Sequence, residues 1–346
     1  MSRSECLDDT QMMLTTSHLD NIIQHYIFPI QFILGVVGNS MNLLVLLSKG
    51  MRSETNYLLS AMAFADLSLL FCMLPHSIAS FEIAYRSYSF RYIYYISKRQ
   101  INAMANLFSA AAAWLVLAVS IERFIGIRSP MQARLQWRDG KIKILIISIF
   151  VGAFIVTFYH HIAYKYSIHI LCNDTQLRGN VIPIEYNWTG DKFFGKFVTN
   201  YVKFSKYLQL FTVILVPIMA VAFLNVSLIC FVKNRDIHHH NYSNKWSKWS
   251  LADTGMVQRQ ERRVTTTVLA IVTCFTITHA PSLIPFVWET LGISISNPRP
   301  FLATVSIVNS LVITGKVLNF VLFCSSSVYF RRRLNAILLS RIVSFS

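Results

Sequence analysis

Few side chains in this sequence could do chemistry, and those few stand in apolar company. Asp66 follows "LLSAMAFA", Lys316 interrupts "SLVITGKVLNF", and Glu122 and Arg123 close the run "AAAAWLVLAVSI". Charged groups in such surroundings are expected to pair, because an isolated buried charge is driven to neutralise. Patterns that would make a catalyst are missing from the sequence: it has no His-Glu-x-x-His helix and no pair of aspartates within its apolar runs. His160-His161 is a lone doublet at the end of an apolar run. The triplet His238–His240 lies in "DIHHHNYSNKWSKWS", which reads as a solvated loop and not a metal site. No cofactor, metal or enzymatic reaction is expected.

The elements that carry these residues are long and greasy. The chain has 346 residues, of which 54% are hydrophobic and 14% charged, with a mean hydropathy of +0.46. Soluble domains carry about a quarter charged residues. A bilayer core needs about 20 apolar residues per helix, and seven such runs lie near 22–47, 57–81, 100–121, 142–163, 207–232, 264–288 and 301–324. The fold class that follows is an all-α membrane protein, a bundle of seven spanning helices. The organisation expected is an N-terminal tail over 1–21, one bundle domain over 22–324, and a cytoplasmic amphipathic helix with a short tail over 325–346. In that last segment, "SSSVYFRRRLNAILLS" puts aromatic and aliphatic residues on one face and arginines on the other, suited to lipid headgroups. The first run follows polar residues, is too long for a signal-peptide core and lacks a cleavage site, so it is expected to span.

Basic residues set the orientation. With the N-terminus outside, most of the 32 Lys and Arg fall on the cytoplasmic side. That places the protein in the plasma membrane as a multi-pass chain, its net charge of +16 facing anionic lipid and an acidic partner. Nucleic acid is excluded as a partner, since the basic residues flank spans and form no single groove. Of the six cysteines, only Cys6 and Cys172 fall on predicted outside segments, so one disulfide at most is expected there. The sequons at Asn173 and Asn187 lie in the same predicted outside loop, near 164–206, as glycosylation candidates.

Ordered motifs carry a resemblance. "GVVGNSMNLLVLL" contains Asn39, "NYLLSAMAFADL" contains Asp66, and "SIERF" contains Glu122, Arg123 and Phe124. Pro217 and Pro281 interrupt the fifth and sixth runs, Phe275 precedes the second of these prolines by six residues, and "LNFVLFCSSSVYFRRR" carries Asn319, Phe323 and Phe330. In this order and spacing the chain resembles the rhodopsin-like (class A) G-protein-coupled receptors, and within them the invertebrate FMRFamide-type neuropeptide receptors, where Asn-Phe also replaces Asn-Pro. The resemblance implies an extracellular ligand, a neuropeptide by preference, and a heterotrimeric G protein as partner. It implies that Glu122 holds Arg123 at rest, and that Phe124, Asn319 and Phe323 belong to the coupling switch. A chemoreceptor for a small environmental molecule is the alternative on the same fold. A transporter is disfavoured because inverted repeats and paired broken helices are missing.

The departures from the family are specific. Lys98 stands where the family has the third-helix cysteine that bonds the long outside loop, so Cys172 lacks its usual partner. His279 replaces a tryptophan, the fourth span has none, and Phe320 and Phe323 replace the closing proline and tyrosine. The amine-binding aspartate is Ala105 and the retinal lysine is Ile313, which sets those ligand classes aside. In the family the Asp66 position holds a sodium ion with small polar neighbours; two of these are Ala112 and Gly315 here. Lys316, one turn above Asn319, is therefore expected to replace sodium as the counter-ion of Asp66, in a buried polar core with Asn39. Polar stripes at helical spacing mark the expected ligand site: Asn102 and Asn106 on the third span, Gln209 on the fifth, His279, Ser282, Phe286 and Glu289 on the sixth, and Asn309 on the seventh.

Overall fold

The computed structural model describes residues 6–50, 53–128, 139–183, 192–227, 230, 270–290, 298–326 and 328–345. Seven helices are long and apolar enough to cross a membrane: His18–Leu46, Glu54–Ile78, Tyr88–Gly126, Gly140–His161, Gly195–Ser227, Ala270–Glu289 and Arg299–Leu322. They are called here the first to seventh spans. The first four spans pack in sequence, the second and third most extensively, and the seventh packs on the first and sixth. The core lies where Leu58, Leu59 and Met62 of the second span meet Ala110, Ala111, Ala112 and Ala113 of the third. Four small residues in a row let the helix backbones approach closely, which is how helices gain contact in a medium as apolar as their own side chains.

Two prolines leave their mark in the same way. The first span has a π turn at Ile23–Ile27, closed by the Phe28 N–H donating to Ile23 O five residues back. The next donor in that register belongs to Pro29, which has none, so the Gln24 carbonyl is orphaned. Ser77 Oγ of the second span donates to it at 2.6 Å. In the fifth span the π turn Leu210–Leu215 ends with Val216 N–H donating to Phe211 O. Pro217 then orphans the Thr212 carbonyl, and the Trp114 indole of the third span donates to it at 2.7 Å. Each proline thereby becomes a point where a neighbouring helix is hydrogen-bonded in.

Helices extend beyond the apolar runs. The helix of the third span begins at Tyr88 and continues to Arg128, twelve residues earlier than hydropathy places it. The added turns are rich in tyrosine and pack Tyr94 and Tyr95 against Leu7, Met12 and Leu14 of the N-terminal segment. Much of the segment expected as a long loop is ordered too. It forms an antiparallel hairpin, β1 (Tyr164–Leu171) and β2 (Gln176–Pro183), and then a helix from Lys192. The fold is the expected bundle of seven spanning helices, with one two-stranded sheet among the described residues. At the opposite end, the helix Val328–Phe345 follows the seventh span. Its Phe330 is buried in the main core, and Arg333 donates to Ser48 and to Lys49 O of the first turn.

Candidate functional site

A cavity of about 500 Å³ opens at the end of the bundle that carries the N-terminal segment. Asn102, Asn106 and Ser109 line it from one face of the third span, Asn309, Val312 and Ile313 from the seventh, and Leu69 and Met73 from the second. Its roof is the hairpin. Tyr164 and Tyr166, two residues apart and so on one face of β1, line it together with Val181, the partner of Tyr166 across the ladder. Asn106 donates to Asn102 O at 2.9 Å and lies 3.4 Å from Gln209 Nε2, while Gln209 Oε1 lies 3.0 Å from His160 Nε2. Gln209 therefore orients two lining residues from behind.

The sixth span contributes differently from its polar spacing. Ser282, Phe286 and Glu289 do not line this cavity. Glu289 forms an ion pair with Lys206 at 3.0 Å, and Phe286 lies edge-on to Tyr207. The stripe expected on the sixth span is interrupted by a 3-10 turn, Ala280–Ser282, at Pro281. Such a turn advances each residue by about 120° in place of the α-helical 100°, which rotates everything beyond it.

The roof is fastened from three sides. Cys172, in the hairpin turn, is disulfide-bonded to Cys6. Gly179 of β2 lies directly on the ring of Tyr95, so close that a Cβ there would overlap it. Arg91 is only 1% exposed. Its guanidinium donates to the carbonyls of Leu177 in the hairpin, Met12 in the N-terminal segment and Tyr85 in the connection after the second span. A buried cation is tolerable here because its donors are met by carbonyl dipoles. Sequence reasoning missed Arg91, which reads as one more basic residue flanking a span.

Beneath the cavity a second polar cluster lies sealed. Lys316 Nζ is 2.8 Å from Asp66 Oδ1, with the two side chains 5% and 1% exposed. Asn319 donates to Asp66 Oδ2 at 2.8 Å. Asn39 donates to Gly35 O at 3.0 Å and reaches Lys316 O at 3.5 Å. His279 borders this cluster with Ala112, Thr278 and Gly315, stacked on Phe275 at 4.1 Å. Gly315 is in contact with the Thr278 hydroxyl, which brings the sixth and seventh spans together at this level. The remaining space is about 10 Å³, at the lower limit for one water molecule. A hydrated cation has no room.

At the far end of the third span, Glu122 Oε2 lies 3.3 Å from Arg123 Nε and accepts from Thr55 Oγ1 of the second span at 2.8 Å. Phe124 packs under Arg128, whose guanidinium is 5.9 Å from its ring centre. Arg123 is 21 residues beyond Asn102, about 30 Å along the helix at 1.5 Å per residue. Phe323 continues the seventh helix. Of the sequons, Asn173 is exposed in the hairpin turn, with φ of 51°. Asn187 and His238–His240 lie outside the described residues.

This architecture has seven spans, a cavity at one end and a charged pair closing the third span at the other. Residues 38–322 match the model of the 7 transmembrane receptor (rhodopsin family), and the chain belongs to that family. It is a multi-pass G-protein-coupled receptor and not an enzyme. Over 337 residues it is 34% identical to the putative G-protein coupled receptor F59B2.13 of Caenorhabditis elegans, an overlap of 95% of this chain and 76% of that one. It is also 25% identical over 166 residues to sex peptide receptor-related protein 2 of Caenorhabditis elegans, covering 46% of this chain and 37% of the relative. The growth hormone secretagogue receptor type 1 of Homo sapiens is 28% identical over 124 residues, 36% of this chain and 32% of its own length.

Proposed function

We propose that this protein is a plasma-membrane receptor with its N-terminus outside, which binds an extracellular peptide beneath the hairpin and activates a heterotrimeric G protein through Glu122 and Arg123. The observation that carries this reading is the open cavity under a tethered, tyrosine-faced roof. A site lined by apolar side chains and a few amides suits a short peptide, whose own amides need partners and whose side chains need apolar contact. The receptor names of two relatives, a sex peptide receptor-related protein and a growth hormone secretagogue receptor, support the peptide class. So does the resemblance of Asn319-Phe320 to the FMRFamide-type group, without specifying a sequence.

Coupling would run along the third span. Ligand held at Asn102 and Asn106 favours one arrangement of the third, fifth and seventh spans, and the Glu122–Arg123 pair reports it at the other surface. A ligand can bias such a two-state element only by its differential affinity, a few kcal/mol in receptors of ordinary potency. The test is nucleotide exchange on a co-expressed G protein when membranes are exposed to peptide extracts. Arg123→Ala should reduce stimulated exchange at least tenfold while surface expression stays within about a factor of two. Full exchange by that variant would reduce Arg123 to a membrane-edge anchor.

A further inference from the structure

We infer that the ligand of this cavity carries a carboxylate that is held against Arg99, above an apolar portion directed toward Ile313. The inference deepens the receptor reading and rests on it. Arg99 lines the cavity and is half-buried. Among the described residues no carboxylate lines the cavity with it, and no ion pair or hydrogen bond engages its guanidinium. Two acidic residues at this end of the bundle are committed elsewhere. Asp20 accepts from Thr16 and from Ser306 Oγ, and Glu289 pairs with Lys206. Lys98, next to Arg99, turns to the ring of Tyr94 at 5.1 Å. Among the described residues Arg99 is thus the one guanidinium on the cavity wall, with no carboxylate beside it.

The neighbouring groups agree with an anion at this level. His76 Nε2 lies 2.7 Å from Asn102 Oδ1, which leaves the Asn102 amide N–H group to donate into the cavity one turn below Arg99. Tyr166, whose phenol burial pushes up and Arg99 pulls down, stays neutral and can donate as well. Deeper, the apolar Leu69, Ala105, Val312 and Ile313 line the cavity alongside Asn106, Ser109 and Asn309. Arg99 and Ala105 are six residues apart, about 9 Å along the helix, so the cationic level and the apolar side chains deeper in the cavity are separate subsites. A single planar fork with one adjacent amide matches a carboxylate, which it can grip with two parallel hydrogen bonds. A ligand whose buried end is amidated and basic would meet only like charge there.

The experiment uses the full chain in phosphatidylcholine nanodiscs and reads the thermal unfolding midpoint across concentrations of synthetic tetrapeptides with one aromatic or aliphatic end. The peptides come in matched sets: Glu, Gln or Lys at each position, and free acid or amide at the C-terminus. Indole-3-acetate serves as a small free acid. Acid-bearing members should bind about 10- to 100-fold more tightly than their neutral counterparts, the usual range for a charge-assisted bond. The responding arm identifies a side-chain, terminal or small-molecule carboxylate. Arg99→Gln should remove the difference, Arg99→Lys should keep most of it, and Arg99→Glu should turn the preference to Lys-bearing members. The midpoint of each variant without peptide checks its folding, and the matched sets on the wild-type chain need no variant. Equal binding of acid and neutral members, no binding by any probe, or a difference that survives Arg99→Gln overturns the proposal. Acid-dependent binding without nucleotide exchange would instead remove the receptor reading and leave the carboxylate site standing.

Discussion

Replacing Lys316 by Ala would leave Asp66 desolvated and held by Asn319 alone. Breaking one side of a buried pair costs about 3–5 kcal/mol, most of it the penalty of the stranded charge. Lys316→Ala should therefore lower the unfolding midpoint strongly, and Asp66→Asn added to it should restore part of the loss. A double variant no better than the sum of its singles would show that the two groups do not interact. Because Asp66 is already paired with Lys316 and about 10 Å³ remains beside them, exchanging sodium for choline should leave probe affinity unchanged. Both residues stand out in the sequence, since a charge in an apolar run has few ways to be accommodated. Arg91 and Arg99 do not stand out. They lie in a tyrosine-rich stretch where a basic residue reads as a flank, and only the folded roof shows one as a staple and the other as a cavity wall.

At the scale of the element, the two prolines of the first and fifth spans decide more than helix bending. Trp114 joins the third span to the fifth through the carbonyl that Pro217 leaves without a donor. Trp114→Phe keeps most of the ring packing and deletes only the N–H, so it should cost about 1–3 kcal/mol, the penalty of an unpaired buried carbonyl. Restoring a backbone donor with Pro217→Ala in the Trp114→Phe background should recover part of that stability in the same unfolding assay. An unchanged midpoint for Trp114→Phe would mean that the carbonyl finds another partner. Hydropathy gives the spans, because length and apolarity are what a bilayer reads. It does not give helix rotation. The 3-10 turn at Pro281 interrupts the sixth span's α-helical spacing, and the twelve additional residues of the third helix are too polar for an apolar window to include.

For the whole molecule, orientation rests on the distribution of basic residues and on the hairpin turn, where Asn173 is exposed. Endoglycosidase should shift the mobility of the wild-type chain and leave the chain with Asn173→Gln and Asn187→Gln unshifted. A shift that persists would locate the glycan elsewhere. The Cys6–Cys172 bond, across a sequence separation of 166, has a consequence of another kind. Topologically the chain is a closed loop with one long free arm: the covalent ring contains the first four spans, and the fifth, sixth and seventh hang from it. The bond restricts the unfolded conformations of the ring by loop closure and leaves those of the arm unrestricted. The arm has no such covalent tie and is held to the ring by packing and by bonds such as Lys316 to Asp66 and Trp114 to the Thr212 carbonyl. The molecule is thus divided by its own connectivity into a covalently closed frame and an arm held to it without a cross-link.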